Sequence, residues 1–408
     1  MDERLTPHKT VRGTSADRDK TFEIDYDEQM IRAVRESAAS PGEHVPVITA
    51  GLIDLQVNGF AGLDINSSGI TPETVVELTA KLAALGVTTW VPTIITATEG
   101  SITHALEQIA KARALDTVTH AAIPSVHIEG PFISDRDGPR GVHDARQVRP
   151  IDAAEAARWQ RHGNLVGLVT VSPHAVDAVA QITKMRALGI HVAVGHTHAS
   201  PEQVTAAIDA GARVATHLGN GVSLTLPRHP NIIWTQLADD RITTGMIADG
   251  HHLPMQTVEV MLRAKTVRRA FLVSDSTALA GMPTGTYPTP VGGEVELSTS
   301  GRLSSMQTGL LAGAAAALPQ GLSNVVAGTT FSLTQALRLV TSTPAGILRG
   351  ARPGLGHLRP GAPADLVLLE ESNSSHDESS SGLDESCSVT VVGAIQSGRT
   401  VLASAGEK

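Results

Sequence analysis

The stretch His191-Val-Ala-Val-Gly-His196-Thr-His-Ala-Ser200-Pro201-Glu202-Gln203, running on to Gly211 and then Arg213-Val-Ala-Thr-His217-Leu-Gly-Asn220, decides the fold. A short apolar run, Val192 to Val194, ends in Gly195-His196. Ser200 then reads as a helix cap, with Pro201 at the first helical position and Gln203 completing a capping box. Gly211 stops that helix, and Arg213 to His217 reads as the next strand. A strand–helix–strand unit of this kind joins parallel strands. Each of its strands ends in a histidine. In a parallel barrel the strand ends converge on one mouth, where two imidazoles suit a divalent metal ion. Singly, a strand-end histidine is more often just a hydrogen-bonded polar group, and the chain has 17 histidines. The repeat at equivalent positions of consecutive strands is what points to a ligand pair.

The same pattern extends outward in both directions. Upstream lie strand-like runs at Gly51–Gly59, Gly86–Ile95, Ile123–Pro131 and Leu165–Pro173. Downstream lie Ile242–Gly250 and Ala270–Asp275. Helical stretches separate most of them, including Thr71 to Leu85 and Ser101 to Leu115. Eight strands alternating with helices over roughly 230 residues make an α/β chain with a (β/α)8 barrel. The competing doubly wound sheet would carry a glycine-rich phosphate loop after an early strand, and none stands there. Barrel residues 51–345 are expected, bracketed by a small β-domain built from both chain ends, 1–50 and 346–408.

Within the first end, Thr21–Tyr26 alternates like a strand and Asp27–Ala39 is expected to be a short helix. Ala280–Gly293, rich in Gly, Pro and Thr, is expected to be a loop, with an Ala-rich helix after Gly313. Further helices are expected at Thr330–Leu339 and from Thr343. Short strands follow at 361–369, 389–392 and 400–402. Residues 371–388, rich in Ser, Asp and Glu, read as a surface loop.

Composition narrows the function classes. The chain has 408 residues, enough for one large domain and a smaller companion. Aromatics are only 2%, so the core must be aliphatic. A net charge of −9 with no basic run argues against a nucleic-acid surface. Cys387 is the sole cysteine, so no disulfide forms within one chain. The N-terminus has no apolar signal core, and no run approaches membrane-spanning length; a cytoplasmic protein without a membrane partner is expected.

The residues that carry chemistry fall at predicted strand exits. Gln56 and Asn58 leave the first strand, and His127 and Glu129 the third. His196 and His217 leave the fifth and sixth, Asp249 and His252 follow the seventh, and Asp275 ends the eighth. Barrel active sites occupy that face. Glu129, His196 and His217 supply two neutral nitrogens and a carboxylate, which hold one divalent metal with a position open to water. Asp275, across the mouth, is placed to take a proton from that water and return it to a leaving group.

These motifs, together with Gly86-Val-Thr-Thr-Trp-Val-Pro-Thr93, His127-Ile-Glu-Gly-Pro131 and Gly141-Val-His143-Asp144, resemble the amidohydrolase superfamily. Within it they resemble the N-acetylglucosamine-6-phosphate deacetylases, from about Pro46 to Asp365. The resemblance implies a deacetylase acting on a small amino sugar phosphate. It implies metal ligands Glu129, His196 and His217, an acid/base at Asp275, and substrate contacts from His143, His252 and Asn220-Gly221. It also implies a homodimer in which Arg228 reaches the sugar phosphate in the neighbouring site. Gln56 and Asn58 stand where many amidohydrolases have His-x-His, as in the family's single-metal branch. One divalent metal per chain is therefore expected: zinc first, with Fe, Mn or Co as alternatives. Ser223–Pro230 departs from the family pattern, and so does the N-terminal segment, where incomplete strand pairing is expected. The competing functions are an amidohydrolase acting on another N-acyl sugar (such as N-acetylgalactosamine 6-phosphate) or a cyclic amide, and a metal-free binding subunit.

Overall fold

The computed structural model describes residues 8–37, 45–289, 293–374 and 386–402. Eight parallel strands run in chain order around one sheet. They are β1 (Leu52–Val57), β2 (Val87–Ile95), β3 (Val126–Glu129), β4 (Val166–Val171), β5 (His191–Val194), β6 (Val214–Ala215), β7 (Thr243–Ile247) and β8 (Ala270–Val273). Backbone bonds from Asp275 N to Gln56 O (3.0 Å) and from Asn58 N to Ser276 O (2.9 Å) join the first strand exit to the last. This is the (β/α)8 barrel expected from the alternation. Ile53, Val91, Ala193, Val214, Ile247 and Phe271, from six different strands, belong to one apolar cluster. Strands on opposite sides of a ring meet only inside it, so this cluster fills the barrel. A larger cluster packs the outer faces of the strands against the helices.

Local chemistry sets the helix ends as expected. Thr71 and Ser200 each close a capping box, and Pro72 and Pro201 open their helices. The sixth strand is shorter than the Arg213–His217 stretch predicted, covering only Val214–Ala215. Beyond it the chain leaves the sheet to make the His217 turn.

Both chain ends share a second sheet of seven strands, ordered Arg399–Leu402, Ser386–Gln396, Leu366–Ser374, Val47–Ala50, Lys9–Thr14, Thr21–Tyr26 and Ile31–Ser37. Three expectations fail here. Ile31–Ser37 is a strand, not part of a helix, and pairs antiparallel with Thr21–Tyr26. The cause is a turn: Asp27 Oδ1 accepts the amides of Gln29 and Met30 at 2.8 and 2.9 Å and folds the chain back. Pairing of the N-terminal segment is also regular, with six successive partners from Lys9↔Tyr26 to Thr14↔Thr21. The Ser/Asp/Glu-rich segment is narrower than 371–388, because backbone pairing persists to Ser374↔Ser386; residues 375–385 of it lie outside the described residues.

The stretch after Ala280 is not an irregular loop either. Gly285–Thr289, Gly293–Leu297 and Leu303–Ser305 form an antiparallel sheet, folded over a small core of Leu279, Val295, Leu297 and Leu303. This flap stands over the barrel mouth. Among the described residues, no helix is long and apolar enough to cross a membrane.

Gly195 links fold to site. A Cβ there would lie 2.7 Å from Thr216 Cβ and 2.9 Å from Thr170 Cγ2, so the β4, β5 and β6 ends approach this closely only around a glycine. Gly195→Ala is expected to destabilise the protein by about 1–3 kcal/mol through overpacking. Urea unfolding of the metal-free protein measures this. An unchanged midpoint would show that the three strand ends can part freely.

Candidate metal centre

Glu129 is the last residue of β3, while His196 and His217 stand two residues beyond the ends of β5 and β6. His196, His217 and Asp275 all have left-handed backbones, with φ of 45°, 26° and 49°. Such conformations cost non-glycine residues on the order of 1–3 kcal/mol each and persist where the surroundings over-determine them. Here the chain turns sharply off the strand ends, and the side chains meet at the barrel mouth.

The three expected ligands meet closely. Glu129 Oε1 lies 3.0 Å from His217 Nε2 and 3.3 Å from His196 Nε2, and the two Nε2 atoms are 3.0 Å apart. Ligand atoms about 2.0–2.1 Å from a common zinc-type centre are roughly this far from one another. The donor chemistry also fits. His196 Nδ1 lies 2.8 Å from the Pro139 carbonyl, which can only accept, so Nδ1 carries the proton and Nε2 presents its lone pair. Glu129, His143 and His196 form a looser set, with ligand atoms within 4.8 Å of one another. The shorter distances favour His217 over His143 as the third donor, and His143 Nδ1 is already engaged by Thr96 Oγ1 at 2.8 Å.

The remaining polar groups stand around this triangle. Gln56 Nε2 donates to Glu129 Oε1 at 2.9 Å, and Asn58 Nδ2 donates to Asp275 Oδ1 at 2.8 Å. Asp249 Oδ2 pairs with His252 Nδ1 at 2.7 Å, fixing that ring. His127 plays a different part from Glu129: its Nε2 meets Thr170 Oγ1 at 2.7 Å, in a buried chain that continues to Thr216 Oγ1. Gly221 packs on His196, where an added Cβ would come within 3.0 Å of Nδ1 in a backbone at φ +60°. Asn58 Oδ1, Asn220 Nδ2 and His217 Nδ1 are buried without a hydrogen-bond partner. The two amide atoms belong to residues that line the cavity and so can serve a ligand.

That cavity, of about 1060 Å³, opens at the barrel mouth and includes Asn58, His143, Asn220, His252 and Asp275 in its wall. Arg228 is exposed and is not part of this wall. The flap contributes Tyr287, Arg302 and Leu310 instead. Sequence reasoning missed Thr96, Pro139 and Arg302. Thr96 sits just past β2 and was open to the strand-exit rule. The Pro139 carbonyl and Arg302 carry no local signal.

Burial and charge tune these groups. Burial pushes the Asp275 carboxyl up to about 6, helped by the nearby Glu129 charge. Burial lowers His143 to about 3 and His127 to about 4. For His217, burial opposes protonation, but the hydrogen bond to Glu129 and its charge prevail and raise the ring to about 8. Burial likewise works against ionisation of Glu129, yet His196 and His217 hold its carboxyl well below the usual range. For Asp249, burial is outweighed by the pairing with His252, and the carboxyl falls to about 2.

Comparison with known proteins follows the same lines. Residues 47–401 match the amidohydrolase family. An N-acetylglucosamine-6-phosphate deacetylase of Vibrio furnissii is 32% identical over 320 residues, 78% of each chain. An N-acetylgalactosamine-6-phosphate deacetylase of Escherichia coli O157:H7 is 30% identical over 78% of this chain and 82% of its own. Among solved structures, an Asp-to-Ala variant of N-acetyl-D-glucosamine-6-phosphate deacetylase from Mycobacterium smegmatis, in complex with N-acetyl-D-glucosamine-6-phosphate, superposes with a TM-score of 0.81. It is 25% identical, and the match covers 97% of this chain and all of that one.

The Glu129–His217 pair predicts a pH signature for metal-free protein. A ring raised from its ordinary 6.5 to about 8 stabilises the fold fully below about 6.5, and that contribution is lost as pH rises through 8. A shift of this size corresponds to about 2 kcal/mol. The stability difference between wild type and His217→Gln, both chelator-treated, should therefore shrink from pH 6 to pH 9. A difference that stays flat across that window would mean His217 is not charged by Glu129.

Proposed function

The chain belongs to the amidohydrolase family, and on that footing we propose that it hydrolyses the acetamide of N-acetylglucosamine 6-phosphate to acetate and glucosamine 6-phosphate. The observation that carries this reading is the Glu129–His196–His217 triangle beside Asp275 in a sugar-sized cavity. The similarity to deacetylases over most of the chain supports it.

Glu129, His196 and His217 would hold one divalent ion, zinc being the ion proposed. When bound, that ion polarises the amide carbonyl and acidifies a water molecule. Gln56 keeps Glu129 oriented through its amide N–H. Asp275 accepts a proton as the water oxygen adds to the amide carbon. It returns that proton to the amide nitrogen as the C–N bond breaks, so the products are acetate and the free amine. Asn58 holds Oδ1 of Asp275, leaving Oδ2 for the proton. His252, tied at Nδ1 by Asp249, presents Nε2 to the substrate, and His143, Asn220 and Gly221 complete its contacts.

The proposed assembly is a homodimer in which Arg228 reaches the partner's sugar phosphate. Supporting this, Leu224 and Trp234, on either side of Arg228 in the chain, are 83% and 50% exposed. A second reading places the phosphate on Arg302 of the same chain. It is favoured by the position of Arg302 in the cavity wall.

Acetate release from N-acetylglucosamine and N-acetylgalactosamine, each with and without the 6-phosphate, tests the substrate assignment. No release from the phosphorylated glucosamine derivative by metal-replete protein would end the proposal. Asp275→Asn should retain the metal but lose at least about 10²-fold in kcat. Near-normal turnover in a metal-replete variant would remove Asp275 from the mechanism. For the phosphate, Arg228→Ala should raise KM for the phosphorylated substrate by about 10- to 100-fold and leave the unphosphorylated sugar little changed. If Arg302→Ala has that effect instead, the phosphate is bound in cis.

A further inference from the structure

A second cluster of ligating side chains lies outside the cavity. Asp135, His174 and His198 each offer one ligand atom, and the three atoms lie within 4.8 Å of one another. They come from three neighbouring strand exits, following β3, β4 and β5. The two imidazoles face each other with ring centroids 4.3 Å apart, tilted by 34°. None of the three residues lines the cavity described above.

The hydrogen bonds around the rings are those of a ligand pair. His174 Nδ1 lies 2.8 Å from Ser172 Oγ, and Ser172 gives its own proton to Thr197 Oγ1 at 2.7 Å. Ser172 Oγ therefore accepts from His174 Nδ1–H, which leaves Nε2 of that ring as a bare lone pair. His198 Nδ1 is held at 2.6 Å by Ser134 Oγ, which also accepts the Arg136 amide at 3.1 Å. Both rings are thus oriented through Nδ1 by hydroxyl partners, the arrangement that fixes metal-binding imidazoles. Asp135 is exposed, so its carboxylate can close the last distance by rotation. The adverse charge next to it, Arg136, is also exposed and free to turn to solvent.

We propose that Asp135, His174 and His198 form a second divalent-metal site, structural rather than catalytic. Its two-imidazole, one-carboxylate donor set suits Zn2+ and the neighbouring first-row ions, with water completing the shell. Its physical effect is to tie the exits of β3, β4 and β5 together behind the first centre. Ser134 transmits that effect directly, because its amide donates to the His196 carbonyl at 2.8 Å while its hydroxyl holds His198. Occupancy would brace the turn that aims His196.

The test is Zn2+ titration of chelator-stripped full-length protein by equilibrium dialysis with metal analysis. Wild type should bind two equivalents. Asp135→Asn, His174→Gln and His198→Gln should each weaken one equivalent by at least about tenfold while leaving the other. Glu129→Gln should remove the other and spare this one. Asp135→Asn, an exposed substitution, keeps the test open should either histidine variant fail to fold. A wild-type titration that stops at one equivalent overturns the proposal, as does a second equivalent unaffected by all three substitutions. Two equivalents with the expected variant pattern, but no acetate release, would uphold this site and remove the deacetylase reading alone.

Discussion

A carboxylate buried in a barrel has no water to solvate it, so its charge must be met by donors or by a cation. Glu129 is in that position: it is 3% exposed and surrounded by Gln56, His196 and His217. Three strands besides its own must end at the right height for those contacts to exist. The seam between β1 and β8, the left-handed turns at His196 and His217, and the glycine at 195 all serve that requirement. Removing the negative charge would leave two imidazole nitrogens 3.0 Å apart with nothing between them. The centre is therefore stable only with its carboxylate ionised and a positive partner present, whether a proton on His217 or a metal ion.

The barrel seam also separates the duties of two amides that are nearly adjacent in the chain. Gln56 lies in β1 and Asn58 immediately beyond its end, yet one serves Glu129 and the other Asp275. The first contact spans 73 residues of chain and the second 217. Asp275 is thereby held near the triangle and under the influence of the Glu129 charge, which together with burial keeps its carboxyl near 6. A group with that affinity can both take up and give back a proton close to neutrality, as the proposed hydrolysis requires.

The flap stands over this chemistry, whereas the small sheet packs against the barrel helices Pro72–Ala84 and Leu318–Gly328. The flap brings Tyr287, Arg302 and Leu310 to a cavity whose floor is built from strand exits. The seven-stranded sheet carries its own apolar core, including Val11, Ile24, Ile31, Ile48, Leu366 and Ile395. That sheet depends on Val47–Ala50, which pairs with both chain ends at once.

The sequence by itself determined the barrel, since strand–helix alternation, capping boxes and glycine stops are local signals read over a few residues. It also marked Glu129, His196, His217 and Asp275, because polar residues ending apolar strands are conspicuous in an aliphatic chain. Only the tertiary structure decided which of these meet. Gln56 and Asn58 look alike in sequence, and the closure of the ring alone assigns them to different carboxylates. The Asp27 turn converted an expected helix into a strand, because a hairpin partner from Thr21–Tyr26 outweighs weak local propensity. The flap was illegible for the same reason: its Gly-, Pro- and Thr-rich sequence reads as loop until Leu279, Val295, Leu297 and Leu303 are packed together. The Asp135–His174–His198 cluster likewise joins three exits that no sequence spacing connects, and parallel register alone brings them side by side.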